Sequence, residues 1–128
     1  MSYHYSRTID GGFDEVLARV SESLKAKGFG ILSDIDVAKT LHAKLGVDFR
    51  PYRILGACNP QMAYQALGVE DKIGTMLPCN VIVQESVPGK IEVSAVDPVA
   101  SMQAIENPKL AEVAEHVRDM LRDVVDTA

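Results

Sequence analysis

Cys58, in Leu55-Gly56-Ala57-Cys58-Asn59-Pro60, and Cys79, in Leu77-Pro78-Cys79-Asn80-Val81, are the side chains of this sequence best suited to chemistry. Each thiol precedes an asparagine where an apolar run gives way to a turn or cap, so both are expected where a strand meets a loop. A thiolate attacks electrophiles, exchanges disulfides and ligates soft metals once its pKa is lowered. Three readings stay open. The pair can be buried small hydrophobes, since free cysteines are among the most buried residues. It can share a site for a small ligand or metal ion, with Asn59 and Asn80 supplying hydrogen bonds. It can also form a thiol-dependent redox or nucleophilic enzyme, in which Cys58 attacks and Cys79 resolves the product. Asn59-Pro60 starts a helix directly behind Cys58, and amides at a helix start favour negative charge by about 0.3–1 kcal/mol. The sequence holds no Cys-x-x-Cys, which argues against a thioredoxin-like mechanism.

The other candidates are weaker. Arg50 and Arg53 bracket Pro51 and Tyr52, and two guanidiniums on an extended segment can clamp a carboxylate or phosphate. The plainer reading pairs them with acids such as Asp34, Asp36 or Asp48. Asp34, Asp36 and Asp97 are of the type that does acid–base work, although Asp97-Pro98 reads more simply as a cap. A metal site wants three or four ligands, and the histidines His4, His42 and His116 stand in no motif with the cysteines. Gly11-Gly12 and Gly28-Phe29-Gly30 lack the spacing of a phosphate loop. The catalytic residues, the metal and any cofactor are therefore left unassigned.

The elements that must position these residues follow from periodicity and punctuation. Tyr3 to Ile9 alternates as a strand and ends at Asp10-Gly11-Gly12. Phe13, Val16, Leu17, Val20 and Leu24 recur at helical spacing, with acids in the first turn, lysines in the last and Gly28 as the stop. Phe29 to Asp36 predicts a strand and Val37 to Leu45 a helix closed by Gly46. Tyr52 to Cys58 predicts a strand; Asn59-Pro60 then caps a helix over Gln61 to Leu67 that Gly68 should stop. Cys79 to Val87 and Lys90 to Val96 flank Pro88-Gly89 as an antiparallel hairpin. Val81, Ile82 and Val83 are apolar in succession, predicting a central strand with neither face open to water. Asn107-Pro108 opens a last helix with an apolar stripe from Leu110 to Val124. The predicted class is α+β, an antiparallel-leaning sheet with helices packed on it.

Composition sets the bounds. A chain of 128 residues, 47% hydrophobic and 24% charged, has the size and make-up of a single soluble globular domain. Its apolar runs fall far short of the ~20 residues that cross a bilayer, so no membrane partner is expected. The first residues lack a basic stretch followed by an apolar core, so a cytoplasmic location is expected, where two cysteines 21 positions apart stay reduced. Net charge is −5, the wrong sign for counterion-release binding to a phosphate backbone, and nucleic acid is not expected as a partner.

Three ordered motifs support a resemblance. Tyr52 to Pro60, Leu77 to Val83 and Ser94-Ala95-Val96-Asp97-Pro98, preceded by Ile35-Asp36-Val37 and Phe49-Arg50-Pro51, resemble the family catalogued as domain of unknown function 302, over essentially the whole chain. The resemblance implies a small α+β domain similar to one copy of the TATA-binding-protein-like fold, a homodimer and a prokaryotic setting. It implies no established activity, and a shared fold does not carry DNA binding with it. The expected function is a dimeric binding module for a small ligand or metal ion near Cys58, Asn59, Cys79, Asn80 and Arg53. The alternative is the thiol-dependent enzyme.

Overall fold

Five runs of alternating apolar and polar residues form five strands, and the runs with helical spacing close over one face of the resulting sheet. A computed structural model describes residues 2–128. In chain order it contains β1 (His4–Asp10), α1 (Phe13–Ala26), β2 (Gly30–Asp36), α2 (Val37–Leu45), β3 (Tyr52–Cys58) and α3 (Pro60–Val69). A 3₁₀ helix (Asp71–Met76), β4 (Cys79–Val87), β5 (Lys90–Val96), α4 (Pro98–Ser101) and α5 (Pro108–Thr127) follow. The strand order is β1-β5-β4-β3-β2, and every neighbouring pair is antiparallel. The fold class is α+β as expected, with the β4–β5 hairpin in the middle of the sheet.

The core face follows the two-residue repeat of the strands. Leu55 and Ala57 on β3, Cys79, Val81 and Val83 on β4, and Ile91, Val93 and Ala95 on β5 are all buried. Against them lie Val16, Val20 and Leu24 of α1 and Val117, Leu121, Val124 and Val125 of α5. α1 can end where it does because Gly28 adopts φ +83°, a left-handed conformation open to glycine, which lets Phe29 N–H reach the Leu24 carbonyl at 2.9 Å.

The opposite face corrects one expectation. Ile82 was expected to be as buried as its neighbours, yet it is only half-buried, beside Ile54 on β3 and Ser94 on β5. The core-forming helices cover the other side, so the apolar succession in β4 does not mean two covered faces. Gly68 likewise does not stop α3. The helix runs through it to Val69, and Glu70 N–H still bonds to the Ala66 carbonyl. The 3₁₀ helix that follows buries Ile73 completely, in a second apolar cluster with Ala66, Met102, Leu110 and Ala114.

Candidate functional site

Three residue-plus-proline pairs build the end of the sheet where both cysteines lie. Asn59 accepts the Met62 amide at 3.2 Å and starts α3, with Pro60 at a position that needs no donor. Its Nδ2 turns the other way and donates to the Lys27 carbonyl, at the end of α1, at 3.5 Å. Asn107 repeats the device. Its Oδ1 accepts from Lys109 and Leu110 at the start of α5, and its Nδ2 donates to the Val69 carbonyl at the end of α3, at 2.8 Å. Each asparagine thus satisfies free amides of its own helix and a free carbonyl at the end of an earlier, non-adjacent helix, α1 for Asn59 and α3 for Asn107. Asp97, which can only accept, takes the amides of Val99 and Ala100 and faces Arg122 of α5 at 3.5 Å.

These caps set α3 and α5 across the ends of β3 and β4, and the side chains between them do not fill the space. Ala63 and Ala66 on α3 face Ala114 on α5. Small residues from both helices leave a cavity of about 260 Å³, walled also by Met62, Met102 and Leu110. Cys58 and Cys79 both line it. Cys79 pairs with Ala57, one residue before Cys58, so strand register brings the two thiols to one place from 21 positions apart.

Both cysteines are free thiols, Cys58 partly exposed and Cys79 buried. Burial first, and the neighbouring Cys58 second, push the Cys79 pKa up from 9.0 to about 11. At neutral pH Cys79 is therefore a protonated, weakly polar side chain and not a nucleophile. Gly56, one strand position before Ala57, is required by close approach. A Cβ there would collide with Ser33 Oγ and lie 2.8 Å from Pro78 Cγ, so β2, β3 and Pro78 pack this closely only around a glycine.

The remaining predicted site residues separate. Asn59 lines the cavity, but both ends of its amide are taken by backbone groups. Asn80 is exposed, on the opposite face of β4 from Cys79. Arg53 stands five residues before Cys58 on an extended strand, roughly 16 Å along it at ~3.3 Å per residue. It is committed there to Asp34 through paired bonds of 2.8 and 2.6 Å, with Asp36 at 3.9 Å. Arg50 bonds Gln84 and stacks on Phe49 at 4.4 Å. The pairing of arginine with Asp34 and Asp36 is the plainer of the two sequence readings.

Asp36 caps α2 and Asp97 caps α4, which accounts for two of the candidate acid–base groups. His4 bonds Ser6, and His42 lies 3.8 Å from Asp48 at the surface. Among the described residues no group of three or more His, Cys, Asp and Glu side chains converges on one point. Met62, Ala63 and Ala66 fall on the apolar side of the helix expected from Gln61 to Leu67 and Ala114 in the stripe from Leu110 to Val124, but nothing in the sequence marks them, or Met102, as the wall of a site. The signal that could have found them is the alanine content of two helices that must pack together.

Comparison with known proteins agrees with the motifs. A family model described as "Domain of unknown function DUF302" matches residues 5–128. The crystal structure of an uncharacterized conserved protein DUF302 from Bacillus stearothermophilus superposes with a TM-score of 0.92 over 99% of this chain and 98% of that one, at 32% sequence identity. No curated protein matches the chain.

Proposed function

Because the chain belongs to the DUF302 family, whose description names no activity, we propose from the geometry that it is a single-domain binding module for a small, largely apolar ligand held between α3, α5 and the ends of β3 and β4. The observation that carries this reading is the cavity of about 260 Å³ with both thiols in its wall. An apolar cavity of ~150 Å³ is already enough to take benzene. Cys58 and Cys79 then act as polarizable wall contacts, and Asn59 positions the wall without touching ligand. The reading favours an apolar molecule over a metal ion, because among the described residues no third or fourth ligand stands by the thiols. The raised pKa of Cys79 speaks against a resolving thiolate.

The proposal includes a homodimer in a bacterial cytoplasm. Support for the dimer is the segment from the end of β2 through the turn after α2, where Ile35, Leu45 and Val47 are exposed. Among the described residues no helix is long and apolar enough to cross a membrane.

The test is a toluene titration followed by the methyl signals of Met62 and Met102. Saturable shifts are expected in the natural chain and their loss in Ala63→Leu, which fills the void. A natural chain whose methyls ignore toluene up to its solubility would overturn the reading.

A further inference from the structure

Cys79 separates two cavities. Beside the inner one lies a second, of about 240 Å³, at the end of the sheet where β4 begins and β5 ends. Pro78, Cys79, Pro98 and Met102 line both. Three of these partition residues are short or rigid, and Met102 is the exception. Its unbranched side chain has three rotatable bonds, so a rotamer change there is the smallest movement that joins the two spaces. Neither cavity alone reaches the ~300 Å³ at which small-molecule sites begin, and the two together pass it.

The two spaces differ in polarity along one line. Asn59 is the sole polar amide of the inner cavity, and caps occupy it. The outer cavity adds Asn80 and Ser101. Asn80 pairs with Gly56, so no side chain of β3 stands against its amide. Among the described residues the Asn80 side chain holds no hydrogen bond. Ser101 donates to the Pro98 carbonyl at 3.3 Å and keeps its acceptor capacity. No charged side chain lines either space. A ligand carrying a full charge would find no partner for it, and burying an unpaired charge is costly.

We propose, resting on the apolar-ligand reading above, that the ligand is an elongated, uncharged amphipath. Its hydrocarbon end fills the inner cavity and passes Met102 and Cys79. Its neutral hydrogen-bonding head, a hydroxyl or an amide, sits at the outer opening against Asn80 and Ser101.

The full chain is titrated with 1-octanol, with octanoate at pH 8 and with toluene, and the Met62 and Met76 methyls report the inner and outer cavities. Octanol is expected to shift both methyls and to bind at least ~10-fold tighter than octanoate, whose charge is unpaired at the site. Asn80→Leu, at an exposed position, is expected to weaken octanol by about 3- to 10-fold, the loss of one neutral hydrogen bond, and to leave toluene unchanged. Toluene binding at Met62 together with octanol that never reaches Met76, or with octanoate as tight as octanol, would overturn the amphipath and leave the inner-cavity reading standing. No response at Met62 to either apolar probe would sink both.

Discussion

β3 and β4 connect two ends of the sheet with opposite chemistry. At the end where β3 begins, charged side chains find partners at the surface: Arg53 pairs with the carboxylates of Asp34 and Asp36, and Arg50 bonds the neutral Gln84 amide and stacks on the Phe49 ring. At the end where β3 finishes and β4 begins, Asn59 is spent on a helix cap and a cross-helix bond, and what lines the cavity beside it is mainly alanine, methionine and two thiols. The contrast shows why residues close in sequence do not form one site. Arg53 and Cys58 share a strand, but one belongs to a solvated ion-pair cluster and the other to an apolar wall. A pairing cluster needs water or a counter-charge, whereas an apolar cavity excludes both.

The strongest way to break this contrast is to titrate the dry end. Folded Cys79 stays a thiol until about pH 11, whereas an ordinary cysteine ionises near 9.0. A raised pKa contributes stability that is complete below the unfolded value and is lost as pH climbs through the folded one. The natural chain should therefore lose up to about 2 kcal/mol more than Cys79→Ala between pH 8 and 10.5, read from urea midpoints. Parallel pH profiles for the two proteins would mean that Cys79 is solvated, and the two ends would no longer differ.

The caps come next in size. Asn59→Ala and Asn107→Ala should each cost about 0.5–2 kcal/mol, the usual range for a lost N-cap. Aspartate separates their two jobs, because it keeps the acceptor and loses the donor. At Asn107 the donor bond to Val69 is 2.8 Å, and at Asn59 the bond to Lys27 is 3.5 Å. Asn107→Asp should therefore recover less of the alanine deficit than Asn59→Asp does. Equal recovery in urea unfolding would show that the cross-helix bonds add nothing, and that each asparagine serves only its own helix.

These caps also show what the sequence disclosed. Asn59-Pro60 and Asn107-Pro108 announce helix starts locally, because the proline and the side-chain acceptor act within one turn, and both do start helices; Asp97-Pro98, which reads only as a strand end and a cap, also opens the four-residue α4. The strands and the hairpin were legible for the same reason. Their period is local, and Pro88-Gly89 fixes the turn. Where each asparagine sends its second hydrogen bond is a tertiary fact and left no local mark.

The same holds for the cavity, which exists because Ala63 and Ala66 on one helix meet Ala114 on another, 48 or more positions later in the chain. Gly68 carries the local mark of a helix stop, since glycine usually ends one. Its neighbour Val69 remains helical, with its carbonyl taken by Asn107 from the start of α5. The two cysteines were recognised as a pair, and their joint place follows from the β3–β4 register. Arg53, a candidate clamp for an anion in the same motif as Cys58, is separated from the thiols by strand geometry and held by Asp34.

The smallest effect tests whether the charged end is independent of the dry one. The Arg53 hydrogen bond, helped by its charge and opposed by burial, holds the Asp34 carboxyl below its usual 3.8. A lowered pKa contributes stability that is present above the unfolded value and lost as pH falls through the folded one. Arg53 and Asp34 keep 28% and 38% of their side-chain surface exposed, so solvent screening limits the pair to at most ~1 kcal/mol. Arg53→Met keeps the aliphatic stem. It should be less stable than the natural chain by no more than that at pH 7, and the gap should close well below pH 3.8 as Asp34 becomes protonated in both. Toluene binding at Met62 should not change. A variant that lost affinity for toluene would mean that the ion pair and the cavity are coupled along β3. The strand would then transmit strain from its charged end to its thiols, and the separation drawn between them would fail.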